Sequence, residues 1–231
     1  MINTLIEANR AGTVGGGLAV DGGAVELTGT TSIDRNKADH EGGGVALNQA
    51  TLTGGTLEAN EATIGGAGIV AYGTSGLLDL VVRGHNATKG SVYLSGGTYK
   101  IQGLRVTENN GYEHAGISLY RAKASMISVE VSNNVASYIG GGIALDSSVL
   151  DMEDSVIILN EARSGSGIYM SGSELNLIVV DLGDRGTDNV NQDISNQGTT
   201  GSVHDYAWDG TVEGVHCDDS GKCTSLAVLP L

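Results

Sequence analysis

The sequence contains no phenylalanine, one tryptophan and one proline, although its 231 residues are enough for a sizeable domain. Aromatic residues make up 4 % of the chain, so its core must be built from Val, Ile, Leu and Ala. Basic residues are scarce too: 12 Lys and Arg stand against 27 Asp and Glu, a formal net charge of −15. Nucleic acids and anionic membrane surfaces attract basic proteins, so this balance argues against both partners.

Long apolar runs are also missing. No stretch approaches the roughly 20 apolar residues of a membrane-spanning helix, which argues against membrane insertion. Met1 is followed at once by Ile2, which already belongs to a repeated pattern, and no charged segment with an apolar run marks a secretory signal there. We therefore expect the sequence to be a segment of a longer chain.

Asparagine is the first anchor of an internal repeat. An aliphatic residue usually lies three positions before it and Ala two positions after it, as in Ile33, Asn36 and Ala38. Asn tolerates left-handed backbone and hydrogen-bonds to nearby main chain, so we predict a sharp turn at each anchor, with the amides stacked in a ladder. The predicted turn ladder consists of Asn9, Asn36, Asn60, Asn86, Asn110, Asn134 and Asn160, with Asn109 as a second residue for the slot of Asn110.

Glycine clusters are the second anchor, and each leads into a short alternating apolar run, as from Gly42 to Leu47. Successive asparagines lie 24 to 27 residues apart. This period with short alternating stretches predicts an all-β fold, a right-handed parallel β-helix of about seven to eight coils over residues 1–194. A helical repeat is excluded, because the glycines would break it. Residues 195–231, where the repeat stops, are predicted to form a small C-terminal β cap.

The pattern from the aliphatic residue through Asn-x-Ala to the glycine cluster resembles the polymorphic outer-membrane protein repeats of bacterial surface proteins, with Ile6, Ile33 and Leu57 where that family usually has Phe. The segment 180–194 is similar to the closing coil of secreted bacterial β-helix proteins, with Leu182 where Trp is common. The resemblance covers nearly all of the chain. It implies an exported bacterial protein, extracellular or on the cell surface, with an adhesive role.

Parallel β-helices also include polysaccharide lyases and hydrolases, whose sites need two or three carboxylates in one groove. The candidates are Asp79 with Asp151, Glu153 and Asp154, and we expect them to be too far apart to converge. Sugar grooves also use stacked aromatic residues, and the tyrosines share no obvious column in the sequence: Tyr93, Tyr99, Tyr112, Tyr120, Tyr138 and Tyr169. We therefore predict that the protein is not an enzyme.

No cofactor is expected, and metal binding has one weak candidate. Hard oxygen ligands cluster in the closing coil and suit calcium: Asp181, Asp184, Asp188 and Asp193, beside Asn189. Selection of Asp and Asn for backbone turns explains the same cluster, and we favour that interpretation. The histidines form no site: we interpret His40 and His114, at similar turn positions, and His85 as surface residues.

The prediction for function is a non-catalytic exported scaffold: a surface stalk, an adhesin module or an extracellular fibre subunit. A carbohydrate-binding or polysaccharide-cleaving β-helix is the alternative. Partners would be a surface glycan or protein, or a second copy bound head-to-tail. In that self-assembly the apolar residues 226–231 of one subunit would cover the open first coil of the next. Trp208 is expected to pack in the C-terminal cap.

The two cysteines, Cys217 and Cys223, enclose an Asp-Ser-Gly turn signal and lack further ligands for a complete zinc site. We predict that they form a disulfide across a hairpin, in an oxidising compartment. Mass spectrometry of non-reduced protein from that compartment should show both thiols oxidised within one chain. Free thiols in that sample would contradict the prediction.

Overall fold

The structure is a computed structural model that describes residues 1–183, 189–190 and 194–196, and the backbone of residues 202–205, 214–217 and 223–226. Every regular element in these residues is a β-strand, and parallel strands stack into a β-solenoid of about seven turns. Within the same residues, no helix has the length and apolarity that a membrane crossing requires. The predicted all-β parallel β-helix is confirmed.

Each coil opens with two short strands that flank a turn. The first type has three residues with an aliphatic one in the middle: β1 (Leu5–Glu7), β4 (Ser32–Asp34), β7 (Thr56–Glu58), β11 (Val81–Arg83), β15 (Arg105–Thr107) and β19 (Glu130–Ser132). The second type follows at once: β2 (Arg10–Ala11), β5 (Lys37–Ala38), β8 (Glu61–Ala62), β12 (Asn86–Lys89), β16 (Asn110–His114) and β20 (Val135–Ala136).

After the glycine corner come two further strand types. The third type comprises β9 (Ile69–Tyr72), β13 (Val92–Ser95), β17 (Ile117–Tyr120), β21 (Ile143–Asp146), β23 (Ile168–Ser171) and β25 (Ile194–Asn196), and the fourth comprises β10 (Ser75–Leu78), β14 (Thr98–Gln102), β18 (Lys123–Ile127) and β26 (Ser202–Asp205). Four longer strands run through the boundary between types: β3 (Leu18–Glu26), β6 (Val45–Thr53), β22 (Val149–Ile158) and β24 (Glu174–Asp181).

Equivalent strands of successive coils pair in parallel and in register, so equivalent residues stack in columns. Ile33 pairs with Leu57, and Leu57 with Val82, all three fully buried. The same column continues through Val106 and Val131. Alternate residues of each strand point inward, so the core is a set of aliphatic columns, and each fully buried side chain contributes about 1.5–3 kcal/mol.

The asparagine ladder is a second column, and we use this name for Asn9, Asn36, Asn60, His85, Asn109, Asn134, Asn160 and Asn189. All of these residues are buried except Asn9, in the first coil. In a typical rung, the backbone N–H and the Nδ2 of Asn134 both donate to Oδ1 of Asn160, at 3.1 and 2.9 Å. The Nδ2 of Asn134 also donates to the carbonyl of Val106 at 2.9 Å. Each buried amide in the ladder accepts a backbone N–H and donates to a carbonyl of the preceding coil, as Asn160 does with Asn134 and Val131. These bonds satisfy main-chain groups that are buried away from water.

The strained residue of this turn is the one before the asparagine. Ala8, Arg35, Ala59, Glu108 and Leu159 all have φ between 50° and 57°. Left-handed backbone costs a non-glycine residue about 1 kcal/mol or more. The asparagine thus has a different role from the predicted one: its side chain holds the turn through hydrogen bonds, while its neighbour adopts the left-handed conformation.

Two predicted members of the turn ladder are corrected by one residue. Asn86 and Asn110 lie on β12 and β16 with exposed side chains, and the buried rungs are His85 and Asn109. The ladder residue lies three positions after the aliphatic residue of the first strand, which gives His85 after Val82. The remaining five predicted asparagines are in the ladder.

The glycine clusters serve two purposes. Gly42 has φ +66°, the left-handed corner predicted for these residues. Gly43 has an ordinary φ, but a Cβ there would lie 2.2 Å from the carbonyl oxygen of Glu61 in the next coil. The corner therefore requires glycine both for its backbone conformation and for the close approach of adjacent coils.

Parallel pairing continues past residue 194 into the segment predicted as the cap. Strand β25 pairs with β23, and β26 pairs with β24. The last two strands, β27 (Gly214–Cys217) and β28 (Cys223–Leu226), form an antiparallel pair in which Cys217 lies opposite Cys223. The side chains of both cysteines, Trp208 and residues 227–231 lie outside the described residues, so the disulfide, the packing of Trp208 and the head-to-tail contact stay predictions.

The pair Asn109 and Asn110 tests the ladder with adjacent residues of one type. Asn109→Ala removes the Oδ1 that accepts the His85 N–H at 3.0 Å and the Nδ2 that donates to Asn134 at 2.8 Å. We expect a loss of about 2 kcal/mol or more in the free energy of unfolding, because buried partners lose their hydrogen bonds. Asn110→Ala is the control and should change it by no more than about 0.5 kcal/mol. Equal effects in urea unfolding would contradict the ladder register.

Candidate functional site

The third strand type carries two outward columns beside the glycine corner. One reads Ala19, Ala46, Val70, Tyr93, Ser118, Ala144, Tyr169 and Ser195. The other, two residues further along each strand, contains Tyr72 and Tyr120 and then Asp146. The prediction that the tyrosines share no column is therefore wrong, because Tyr93 and Tyr169 stack in one column three coils apart.

Small residues between these two tyrosines open a cleft. Ser118 and Ala144 occupy the intervening coils of the column and form its buried floor. Three coils at about 4.8 Å separate the Cα atoms of Tyr93 and Tyr169 by roughly 14 Å. The cleft has a volume of about 450 Å³. We call this the tyrosine cleft and define it by Tyr93, Tyr120, Tyr138, Tyr169, Lys89, Glu113, His114, Ser118, Ala144 and Asp146.

The two long walls come from different parts of the coil. Tyr120 and Asp146 stand on the strands that form the floor, and the Arg121 guanidinium carbon lies 4.9 Å from the centre of the Tyr120 ring. The opposite wall, from the second strand type and the turn after it, includes Lys89 at the end of β12 and Tyr138, which is 54 % exposed. Aromatic rings therefore face the cleft from both sides and both ends.

Most of the polar groups in the cleft are uncharged at neutral pH. His114 Nδ1 and Ser118 Oγ lie 3.0 Å apart and share a hydrogen bond. Burial lowers the pKa of His114 to about 4, and Lys89 adds to this effect. Burial raises the pKa of both Tyr93 and Tyr169 above the usual range, with a smaller contribution from Asp146 to each. The imidazole is thus neutral, and these two phenols keep their protons.

Two carboxylates and one ammonium supply the charge of the cleft. Lys89 Nζ lies 3.6 Å from an oxygen of Glu113, so these two charges offset each other. Asp146 is exposed, and its Oδ1 accepts a hydrogen bond of 2.8 Å from Ser147 Oγ. No basic residue in the described part of the chain forms a salt bridge with it. A carboxylate with free acceptor positions therefore faces rings and hydroxyl groups.

The other tyrosines have different roles. Tyr72 extends the aromatic surface by two coils from Tyr120, and its hydroxyl donates to Glu41. Tyr99 is fully buried, and its hydroxyl lies 2.8 Å from the carbonyl oxygen of Ala71. Tyr112, 67 % exposed, lies away from the tyrosine cleft beside Lys37 and Glu61.

Of the carboxylates considered for catalysis, Asp151 and Glu153 line one shallow groove beside Asn176, whereas Asp79 and Asp154 do not line it. Asp79 and Asp154 occupy the same turn position, at φ 53° and 48°, but three coils apart. Asp151 accepts a hydrogen bond from Asn176 Nδ2 at 2.6 Å and lies 3.9 Å from Lys123 Nζ. Glu153 points outward two residues later on the same strand.

The weak calcium candidates fall mostly on residues outside those that the structure describes: Asp184, Asp188 and Asp193. Asp181 is exposed and accepts the Gly183 N–H at 2.8 Å. The neighbouring Asn189 is the last rung of the asparagine ladder, where its Oδ1 accepts from Asn160. Among the described residues, no three His, Cys, Asp or Glu side chains form a group that could hold a metal ion.

His85 corrects the interpretation of the histidines as surface residues. It is 0 % exposed and replaces asparagine in the ladder, where its Nδ1 accepts the backbone N–H of Asn60 at 2.9 Å. That bond assigns the ring proton to Nε2, which has no hydrogen-bonding partner. Burial lowers the pKa of His85 to about 4, against smaller opposing effects of the Asn60 and Leu57 carbonyl groups. His40 is exposed in its turn, as expected for a surface histidine.

Comparison with protein-family models, with curated proteins and with solved structures finds no match for this chain. The resemblance to the polymorphic outer-membrane protein repeats therefore stays an expectation from the sequence pattern. The geometry of the tyrosine cleft is the observation from which a function can be argued.

The pKa of His85 predicts how stability depends on pH. A histidine whose pKa falls from about 6.5 to about 4 on folding is neutral in the native state, so the unfolded chain takes up the proton first as the pH falls. Its contribution is complete above pH 6.5 and is lost towards pH 4, at most about 3 kcal/mol. The free energy of unfolding of His85→Asn, measured relative to that of the wild type, should therefore be higher at pH 5 than at pH 8.

Urea unfolding at both pH values measures this difference, and His40→Asn is the control because His40 is not a ladder residue. We expect His85→Asn to keep a smaller dependence of the free energy of unfolding on pH, and we attribute that remainder to His114. The assignment of His85 is wrong if both single variants keep the wild-type difference between pH 5 and pH 8.

Proposed function

We propose that this chain is a non-catalytic scaffold outside the cell, with the tyrosine cleft as its adhesive surface. The observation that carries the proposal is the cleft itself, which presents aromatic rings and uncharged polar groups on the side of a solenoid. Concave sites with aromatic walls and a few placed polar groups are the usual form of a ligand-binding site. The register of the strands holds these side chains in fixed positions before any ligand arrives, which limits the entropy lost on binding.

The arrangement of charged groups supports binding without catalysis. A glycosidase of the usual kind needs two carboxyl groups on either side of one bond. In the tyrosine cleft, Glu113 is close to Lys89, and Asp146 stands on the other wall beside the tyrosines. Lys89 engages Glu113 at 3.6 Å, which leaves Asp146 as the one cleft carboxylate without a basic partner among the described residues, whereas the mechanism uses two carboxyl groups.

An extracellular location is supported by the acidic surface and by the cysteine pair. A net charge of −15 favours solubility in a saline exterior. In the β27–β28 pair the Cα atoms of Cys217 and Cys223 are direct partners, a backbone spacing that suits a disulfide. Such bonds persist in oxidising compartments.

Adhesion, location and turnover can be tested together. Beads coated with the protein should adhere to cells or matrix from the natural surroundings, and antibodies should label intact cells that produce it. A panel of polysaccharides incubated with the protein should release no new reducing ends.

Labelling that requires cell lysis would contradict the location. Release of sugar that Asp151→Asn, Glu153→Gln or Asp146→Asn abolishes would show an enzyme. Absence of adhesion to every surface would contradict the adhesive role.

A further inference from the structure

We propose that the tyrosine cleft binds a neutral oligosaccharide, with the sugar chain laid along the solenoid axis between Tyr93 and Tyr169. This inference rests on the proposed adhesive function and names its ligand class. The argument uses the shape of the cleft, its rings, its hydrogen-bonding groups and its charge.

The shape suits a short linear ligand. Ser118 and Ala144 leave a depression two coils long, and the rings of Tyr93 and Tyr169 rise at its ends. A volume of about 450 Å³ lies in the range of small-molecule sites. A protein partner would need a contact of roughly 800 Å² on each side, much wider than this depression. The depression therefore favours a few sugar rings over a folded partner.

Glycine corners leave room for the two tyrosine side chains. A Cβ at Gly65 would lie 3.4 Å from the ring of Tyr93, and a Cβ at Gly165 would lie 2.8 Å from Cβ of Tyr169. Both tyrosines are half-buried, and both line the cleft. The C–H face of a pyranose ring is apolar and packs against the face of an aromatic ring.

The hydrogen-bonding groups match sugar hydroxyls, which both donate and accept. Asp146 offers carboxylate oxygens that can accept two adjacent hydroxyl protons. The pair of His114 and Ser118 combines an imidazole with a hydroxyl on the floor, and the phenols of Tyr93 and Tyr169 are protonated donors at neutral pH. Donors and acceptors are therefore present on the floor and on both ends.

The charge selects against acidic sugars. Asp146 is paired with no basic residue in the described ranges, and Glu113 offsets the charge of Lys89. The whole chain adds a net charge of −15. A uronic acid or sulfated sugar would bring its negative charge next to Asp146, at a cost that a neutral sugar avoids.

An array that carries neutral and acidic glycans side by side tests the ligand class, with titration calorimetry on the best neutral oligosaccharide. We expect binding to one or more neutral structures and none to polyuronates or sulfated glycans. Tyr93→Ala and Tyr169→Ala should each weaken binding at least about tenfold, because truncating an aromatic anchor in a binding site commonly has this effect. Tyr112→Ala removes an exposed tyrosine outside the cleft and should leave the affinity unchanged.

Ala144→Tyr tests the cleft in a second way, by filling its floor with a side chain while all of the native tyrosine rings remain. The same column already carries tyrosine at 93 and 169, beside the glycine corners, so the fold has a precedent for that side chain. This variant should melt like the wild type in circular dichroism and lose binding to the oligosaccharide. A second variant, Asp146→Asn, keeps an acceptor and removes the charge, so it should narrow the preference for neutral over acidic glycans by several-fold.

The outcomes distinguish this inference from the proposed function. If coated beads still adhere after Ala144→Tyr, and no neutral glycan on the array binds, the glycan inference is wrong and the scaffold stands. Preferential binding of acidic glycans, or neutral binding that the Tyr93 and Tyr169 variants do not weaken, also overturns it. Absence of adhesion by the wild type would contradict the proposed function itself.

Discussion

The asparagine ladder joins each coil to the next where the chain makes its sharpest turn. Around it, residues such as Ala59 and Leu159 adopt left-handed backbone that costs them about 1 kcal/mol or more each. The side-chain amides offset this cost, because each buried one bonds both a backbone N–H and a carbonyl of the preceding coil. The aliphatic columns contribute more energy in total, but apolar packing is not directional and cannot by itself fix which residue faces which.

The register that follows from the ladder also determines what stands on the outside. Two tyrosines 76 positions apart in sequence become two ends of one depression only if three coils stack without a slip. A slip of one residue would exchange the inward and outward columns. The cleft is therefore a by-product of core and ladder packing on the opposite side of the same strands, and its side chains need little support of their own.

The fold was predictable from the sequence because its period repeats in every coil. The position of the ladder was predictable only in part. Choosing the ladder residue by its identity as asparagine places it one residue too late in two coils, at Asn86 and Asn110. Counting three residues from the buried aliphatic residue gives the correct positions, His85 after Val82 and Asn109 after Val106. Burial of His85 could be found only by that count, because histidine as a residue type does not mark a column of asparagines.

The tyrosine cleft could not be predicted by the same means, because only two of eight residues in its main column are tyrosine. Alignment of the coils on the inward residues Val92 and Ile168 would have brought Tyr93 and Tyr169 together. The depth of the cleft depends on the small side chains of Ser118 and Ala144. Neither residue belongs to a recognisable binding motif in the sequence. Its far wall comes from the ends of β12 and β16 and from the turn that holds Tyr138. Coils differ in length there, so sequence alignment gives no position in space.

The parallel stacking has a consequence for how such a site can change in evolution. The distance between the two end tyrosines is quantised: gain or loss of one whole repeat lengthens or shortens the depression by about 4.8 Å and leaves the cross-section unaltered. Shorter insertions would instead bulge out at a turn. Ligand length and ligand chemistry are thus encoded separately, the first by the number of coils between two large residues and the second by which side chains stand in the columns beside them.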